Sequence, residues 1–253
     1  MNDKILDLQK KMKKKLNEYR YEHTLGVMYT SAALAMRHGV DLEQALVAGL
    51  LHDCAKCYSD EKKFELCEKY GVVLTAVERQ NTALIHAKLG AVLAREKYEV
   101  DSEDVCQAIA THTTGAPAMK PLQQIVFIAD YIEPHRDRAR HLDEIRYTAF
   151  QDLDRACEMI LTDTLNYLSD SPNTVDPMTQ EKREFEDWQC HAHQAKRVAL
   201  LAHVSPDGDT MGSTLALRLA FLALGKQADV ICDGDVPDNL KYLPGSETVL
   251  RPE

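Results

Sequence analysis

Histidine and aspartate side chains occur in the N-terminal part of the chain at positions that helical periodicity turns towards a core. In the first predicted helix His23 shares one face with apolar residues, and His52 does the same in a helix predicted from Asp41 to about Cys57. Asp53 lies about 100° further around such a helix, so an imidazole and a carboxylate from adjacent positions can converge on one ion. Asp130 stands inside the apolar run IVFIADYI, where a buried carboxylate needs a metal, a proton or a cation to offset its burial.

These side chains form a mixed nitrogen and oxygen donor set. Its members are His23, His52, Asp53 and Asp130. Such a set suits a divalent first-row metal and leaves positions open for water and a phosphate oxygen. Two further histidines, His86 in LIHAKLGA and His112 shortly before Gly115, are also predicted to face inward. Spacing alone leaves open whether they hold a second ion or contact the phosphate. A lone inward histidine is more often a core residue, but the whole group favours a metal centre.

Hydrolysis at phosphorus is the chemistry that this set predicts. Water bound to a divalent metal has a lowered pKa and can attack phosphorus, while the ion and a cation such as Lys56 stabilise charge on the non-bridging oxygens. Asp53 can bridge metal and water and accept the proton, or it can act purely as a ligand. Cys54 and Cys57 form a C-x-x-C without a second pair, which we interpret as structural.

The elements that must position these side chains are helices. From residue 4 to about residue 168, apolar residues recur at three- and four-residue spacing, and glycine and serine punctuation predicts six to eight helices. The predicted fold class of residues 1–170 is therefore an all-α bundle. After a linker-like stretch, VALLAHV and ADVICDGD predict two strands around the helix MGSTLALRLAFLALG. This β-α-β unit of a parallel sheet has too few strands to form a covered sheet, so we expect a truncated α/β unit.

Composition limits the classes of partner. The formal net charge of -10 argues against binding to long nucleic acids, which relies on an excess of Lys and Arg. Seven cysteines at irregular positions, without a signal peptide, predict free thiols in a reducing compartment. No long apolar stretch occurs, so we expect a soluble cytoplasmic protein that does not enter a membrane. The lysines between Lys10 and Lys15 are interpreted as a solvated helix face.

Five motifs resemble a known family in their order along the chain: RYEHT, GLLHDCAK, IHAKLGAVLA, THTTG and FIADYIEPHR. Over residues 5–180 they resemble HD-domain proteins of the YqeK type, the symmetrical bis(5'-nucleosyl)-tetraphosphatases. The resemblance implies an HD-domain helical bundle that splits diadenosine tetraphosphate into two ADP with a divalent metal, iron first and manganese or cobalt as alternatives. Cys54 stands where relatives commonly have an aromatic residue. A homodimer is left open.

The resemblance also assigns roles to residues. It implies that the metal ligands are His23, His52, Asp53 and Asp130. The chemistry described above makes Asp53 and Lys56 the candidate catalytic residues. The residues implied to face the nucleotide phosphates are Arg20, Lys56, His86, His112, Thr113 and Arg136. Pro177 and Thr179, in VDPMT, would belong to a segment that closes near the nucleotide. The alternatives are an HD phosphohydrolase for another nucleotide and a nucleotide-binding regulatory module with low turnover.

The C-terminal stretch HVSPDGDTMGSTLAL resembles the first motif of DHH-type phosphoesterases of the nanoRNase class. Asp207 and Asp209 match the two aspartates that bind manganese there, and would be vestigial ligands. Because the remaining motifs and the substrate domain are missing, we expect a cut-short gene segment without activity. His191 and His193 are expected to be exposed and without function. The predicted domains are an HD phosphohydrolase at 1–180, a linker at 181–195 and an incomplete DHH fragment at 196–253.

Overall fold

The structure is a computed structural model and describes residues 3–169, 188, 192, 194–202, 208–232 and 235–251. The chain divides into two compact units, residues 1–186 and residues 187–253. Among the described residues there is no helix with the length and apolar character that crossing a lipid bilayer requires.

The described part of the first unit consists of helices and the turns between them. Within residues 3–169 the helices are α1 (Asp3–Lys15), α2 (Glu18–His38), α3 (Leu42–Leu51), α4 (Asp60–Tyr70), α5 (Ala76–Gln80), α6 (Ile85–Tyr98), α7 (Glu103–Thr111), α8 (Pro121–Ile132), α9 (Leu142–Ala149) and α10 (Leu153–Ser169). The predicted all-α bundle is confirmed, but the described part has ten helices rather than six to eight. Short caps interrupt segments that periodicity alone runs together.

The break between α1 and α2 shows how a cap divides the chain. The side chain of Asn17 accepts a hydrogen bond from the backbone N–H of Arg20 at 2.9 Å, which satisfies a donor in the first turn of α2. At the other end, Gly39 adopts φ 69°, a left-handed conformation that glycine reaches without strain. The prediction that His23 lies in the first helix is therefore wrong, because the residue belongs to α2.

The core of the first unit lies between α2, α3, α7 and α8. Leu50, Ile109 and Ile125 are completely buried in one continuous apolar cluster. Gly49 lets α2 and α3 approach closely, since a Cβ atom at this position would lie 2.8 Å from the Cα atom of Met28. This close approach brings the side chains of α2 next to the end of α3, where the candidate site begins.

In its described part, the second unit has two parallel strands joined by a helix. β1 (Arg197–Ala202) pairs with β2 (Gln227–Cys232), and α11 (Gly208–Ala223) lies between them in the chain. An isolated parallel bridge joins Ile231 and Leu250, and short 3-10 turns occur at Asp238–Leu240 and Ser246–Thr248. The two strands and the helix occur where the sequence predicted them. The assignment to DHH phosphoesterases stays a prediction.

Candidate metal centre

The imidazoles of four histidines converge on one aspartate. His23 comes from α2, His52 directly follows α3, His86 lies in the first turn of α6 and His112 directly follows α7. Asp53 lies in the turn after α3 rather than inside a longer helix. All five residues are buried, and His52 and Asp53 have no exposed surface. Elements far apart in the chain thus contribute to a single buried cluster.

The two carboxylate oxygens of Asp53 face different pairs of imidazoles. Oδ2 lies 3.9 Å from Nε2 of His23 and 3.6 Å from Nε2 of His52. Oδ1 lies 3.4 Å from Nε2 of His86 and 3.6 Å from Nε2 of His112. The Nε2 atoms are 3.3 Å apart within the first pair and 3.1 Å apart within the second. Asp53 therefore stands between two groups of nitrogen donors, one at each oxygen.

Backbone carbonyls fix the tautomer of three of these imidazoles. In each case Nδ1 donates to the carbonyl oxygen three residues earlier: His52 to Gly49 at 2.7 Å, His86 to Ala83 at 2.5 Å and His112 to Ile109 at 2.7 Å. A carbonyl accepts and cannot donate, so the proton sits on Nδ1 and Nε2 keeps a free lone pair. Lone pairs that face one another at such distances repel, and a cation between them would remove the repulsion.

His23 obtains the partner for its Nδ1 from another element. Its Nδ1 donates to Oε1 of Glu133 at 3.1 Å, and its Nε2 lies 3.2 Å from Oδ1 of Asp130. Glu133 follows α8 directly and is 1% exposed. Glu133 was not among the site residues predicted from the sequence. The signal that points to it is an acid three residues after Asp130 at the end of the same apolar helix, because side chains at this spacing share a face.

Asp130 completes the first group of donors and opens on a cavity. Its side chain is 16% exposed, whereas that of Asp53 is fully buried, so the larger burial cost falls on Asp53. Nη2 of Arg136 donates to Oδ1 of Asp130 at 2.8 Å, and Nε donates to the backbone oxygen of the same residue at 3.0 Å. The cavity has a volume of about 580 Å³, and its wall includes Asp130, Arg136, His112, Thr113 and Phe127.

Two cations and a hydroxyl face the cluster. Nζ of Lys56 lies 2.9 Å from Oδ1 of Asp53, and Nη1 of Arg20 donates to Oδ2 at 3.3 Å. Thr113 Oγ1 lies 3.1 Å from Nε2 of both His86 and His112. Oδ1 of Asp53 is buried and, despite the ion pair, accepts no well-oriented hydrogen bond from the described residues. An oxygen of this kind is suited to a cation.

Burial and charge set the protonation of the donors. Burial lowers the pKa of His52 to about 4, and burial also holds the pKa of His86 well below its usual range. Both imidazoles are therefore neutral near pH 7 and keep their lone pairs. Burial alone would raise the pKa of Asp53, but His52, His112 and Lys56 outweigh it and hold that pKa well below its usual range.

The donors fit a divalent metal. Ligand atoms of His23, His52 and Asp130 lie within 4.8 Å of one another, and so do those of His52, Asp53 and His112. Neutral imidazole nitrogens and ionised carboxylates are the ligands that divalent first-row metals take in proteins. The contact between His23 and Glu133 is the kind of carboxylate partner that orients a metal-binding imidazole.

Several residues singled out in the sequence are not among those that the structure describes. Pro177, Thr179, Asp207, His191 and His193 fall outside the described residues, and of Asp209 the structure gives its place in the first turn of α11 but not its side chain. Cys54 and Cys57 are free thiols, as predicted. Cys54 is buried away from the cavity, where its thiol approaches the backbone oxygen of Gly90 at 3.5 Å, and burial raises its pKa.

Comparisons with known proteins agree on one family. Residues 20–135 match the family described as HD domain. The chain is 36% identical over 168 residues to the symmetrical bis(5'-nucleosyl)-tetraphosphatase of Halalkalibacterium halodurans, a match that covers 66% of this chain and 89% of the relative. The enzyme of the same name from Bacillus subtilis gives the same identity and coverage.

A solved structure is also similar. It is the crystal structure of a predicted HD superfamily hydrolase involved in NAD metabolism from Clostridium acetobutylicum, with 38% sequence identity and a TM-score of 0.70. The similarity covers 72% of this chain and 96% of that chain. The stretch that matches the HD domain contains all the donors described above: His23, His52, Asp53, His86, His112 and Asp130.

Proposed function

This chain belongs to the HD-domain family of symmetrical bis(5'-nucleosyl)-tetraphosphatases, and from that premise we propose that it splits diadenosine tetraphosphate into two molecules of ADP. It is an enzyme of this family, a hydrolase of phosphoanhydride bonds in nucleotides. The tetraphosphate substrate and the symmetrical position of the cut are supported by the names of the relatives. The observation that carries the proposal is the convergence of imidazoles and carboxylates beside a cavity bordered by cationic side chains.

The proposed ligands of a first ion are His23, His52, Asp53 and Asp130. His86 and His112 would hold a second ion together with Oδ1 of Asp53, because that oxygen faces their Nε2 atoms and not those of the first pair. When bound, a divalent cation supplies Lewis-acid stabilisation of charge on phosphoryl oxygens and makes water a better nucleophile at neutral pH. Iron is the proposed metal, with manganese or cobalt as alternatives.

Asp53 is proposed to hold ions rather than to accept a proton. Each of its oxygens faces two imidazole nitrogens, as expected of a carboxylate that shares a cation with them. The geometry thus favours the ligating role of the two that the sequence left open. Both roles agree with the buried position of the side chain.

The cations around the donors would bind the phosphate chain. Lys56 contacts Oδ1 of Asp53 and Arg20 contacts Oδ2. Both side chains remain partly exposed, at 27% and 37% respectively. Arg136 borders the cavity beside Asp130. Arginine can bind phosphate oxygens through two parallel hydrogen bonds, and lysine acts as a point charge. These residues supply local positive charge in a chain whose formal net charge is -10.

The test is a product analysis. The protein is incubated with Fe(II), Mn(II) or Co(II) and a panel of nucleotides, and the products are separated by chromatography. We expect ADP as the sole product from diadenosine tetraphosphate. A mixture of AMP and ATP would exclude symmetrical cleavage, and turnover of another nucleotide alone would favour the second enzyme class. Tight binding of ADP without product would indicate a regulatory module. The Asp130→Ala variant, with an unchanged far-UV circular dichroism spectrum, is the inactive control.

We propose that the C-terminal unit is a fragment related to DHH-type phosphoesterases and that it contributes no catalysis. The substrate would be a small nucleotide and not a long nucleic acid, in a cytoplasmic protein. Association into a homodimer is tested by size-exclusion chromatography with light scattering.

A further inference from the structure

Glu133 is a buried carboxylate to which the chemistry above gives no direct part. Its backbone N–H closes the last turn of α8 by donating to Ala129, so its charge lies at a helix C-terminus, where the helix dipole disfavours a negative group. It is 1% exposed, which adds a desolvation cost. A position that is unfavourable in both respects requires partners that compensate for it.

These partners are three donors from two histidines. Nδ1 of His23 donates to Oε1 at 3.1 Å. The backbone N–H of His135 donates to Oε2 at 2.8 Å, and Nδ1 of His135 lies 3.1 Å from the same oxygen. Both oxygens of Glu133 are thus engaged, and Oε1 is directed at the candidate metal ligand His23.

Gly26 on α2 provides the space that this carboxylate occupies. A Cβ atom at position 26 would lie 2.4 Å from Oε2 of Glu133 and 3.2 Å from Cδ. Gly26 is not among the residues with positive φ, so its backbone conformation does not require glycine. A glycine inside a helix is less favourable than alanine, because its backbone loses more conformational freedom on folding. The contact with Glu133 gives a reason for a residue that otherwise weakens α2.

The turn that carries Glu133 is fixed from α9. Arg146 donates from Nε to the backbone oxygen of Ile132 at 3.0 Å, and from Nη2 to the backbone oxygens of Glu133 at 3.1 Å and Arg136 at 2.9 Å. One guanidinium therefore holds both the segment that contacts His23 and the segment that contacts Asp130. Glu133 is therefore held by hydrogen bonds to both carboxylate oxygens and to its backbone oxygen.

We propose that Glu133 is a positioning residue for His23, and that position 26 is glycine because this carboxylate fills the adjacent space. The proposal rests on the metal centre put forward above. The carboxylate accepts a hydrogen bond from Nδ1–H of His23, so the proton stays on Nδ1. The lone pair of Nε2 is then available to a metal on the side of His52 and Asp130. The other three imidazoles have carbonyl partners in their own turns. His23 depends on Glu133 instead.

The experiment measures Mn(II) affinity of the full chain by chelator competition for wild type, E133A, E133Q, G26A and the double variant G26A/E133A. We expect E133A to bind Mn(II) about 10- to 100-fold more weakly. E133Q should lose less, because its amide oxygen can still accept the proton of His23. G26A should also weaken binding, and the double variant should bind no worse than E133A, because alanine at 133 removes the group that the new Cβ displaces. Saturating Mn(II) should restore the kcat of E133A towards the wild-type value.

Glu78 provides a matched control. It is also a buried glutamate, 5% exposed, and it closes the capping box of α5 and pairs with Lys88. E78A should lower the melting temperature without changing Mn(II) affinity.

The proposal is overturned if E133A binds Mn(II) as tightly as wild type, or if G26A raises the melting temperature and leaves affinity unchanged, as expected for simple helix propensity. Fully additive losses in the double variant would overturn the part that concerns Gly26. Failure of the wild-type protein to bind any divalent metal would instead refute the metal centre itself, so the two failures are distinguishable.

Discussion

The two units of the chain differ in how much of their apolar surface they bury. In the first unit Leu50 and Ile109 are completely buried in a continuous cluster that reaches from α1 to α10. In the second unit the described buried cluster consists of Met211, Leu215, Val230 and Leu240. Leu201 on β1 is 74% exposed. Strands of a parallel sheet are normally covered on both faces, so the described part of the second unit lacks a layer that such a sheet usually has.

The two units also differ in whether their charged groups are buried or lie at the surface. The first unit gathers imidazoles and carboxylates into its interior, whereas described ion pairs of the second unit, such as Arg197 with Asp229 at 2.7 Å, lie at the surface. Burying charged groups is costly and requires a framework that holds their partners in place. The proposed chemistry therefore belongs to the unit in which several packed helices hold the donors, and substitutions in the two units test this difference.

The largest expected effect comes from Asp53→Asn. This change removes a charged oxygen between the two groups of imidazoles, so turnover of diadenosine tetraphosphate should fall by about 10³-fold or more. Product formation followed by chromatography is the measurement. The matched change in the second unit, Asp209→Asn, should leave turnover unchanged. A comparable loss in Asp209→Asn would mean that the two units share the chemistry.

The second effect concerns stability. Leu50→Ala should reduce the free energy of unfolding by about 2–5 kcal/mol, because it leaves a cavity in a fully buried cluster. Leu201→Ala should change it by less than about 0.5 kcal/mol, since that side chain is largely exposed. Urea unfolding followed by far-UV circular dichroism compares the two. Equal losses would contradict the difference in burial.

A third and smaller effect concerns substrate binding. Arg136→Ala removes a guanidinium that borders the cavity beside Asp130, so KM should rise by roughly tenfold, about 1.4 kcal/mol. Steady-state kinetics measure it. Arg197→Ala is the control, because this exposed arginine pairs with Asp229 at the surface of the second unit and should leave KM unchanged. A shift in KM in both variants would indicate a general electrostatic effect.

The smallest effect is expected from removing residues 187–253. The first unit has its own core and contains all the donors, so the shortened chain should retain kcat and KM. The same kinetic measurement compares it with the full chain. A lower kcat would show that the second unit contributes to the reaction, and it would contradict the assignment of the chemistry to the first unit alone.

Sequence periodicity was sufficient for the parts of the site that lie on regular helices. His23 and Asp130 sit on α2 and α8, and a period of 3.6 residues encodes which way such side chains face. Periodicity does not describe the turn that carries Asp53, so the separate contacts of its two oxygens were not predictable. The contact between His23 and Glu133 joins residues 110 positions apart and depends on the packing of α2 against α8.

Local chemistry explains the remaining differences. The helix count was too low because a cap such as Asn17 interrupts a pattern whose apolar period continues on either side. In the second unit the continuous apolar run at 198–202 and the glycine-led helix correctly indicated a strand and a helix. The role of such a unit depends on residues whose side chains the described structure does not include, so it remains a prediction.

His52, His86 and His112 each donate a hydrogen bond to the carbonyl three residues earlier, so the orientation of each ring is set within its own turn. Because donor and acceptor belong to one turn, insertions or deletions in the loops between α3, α6 and α7 can accumulate without disturbing the orientation of the rings. His23 has no such independence, since its acceptor arrives with a different helix. Changes in loop length should therefore be tolerated around three of the four histidines, whereas the contact of His23 with Glu133 should limit how far α8 can shift.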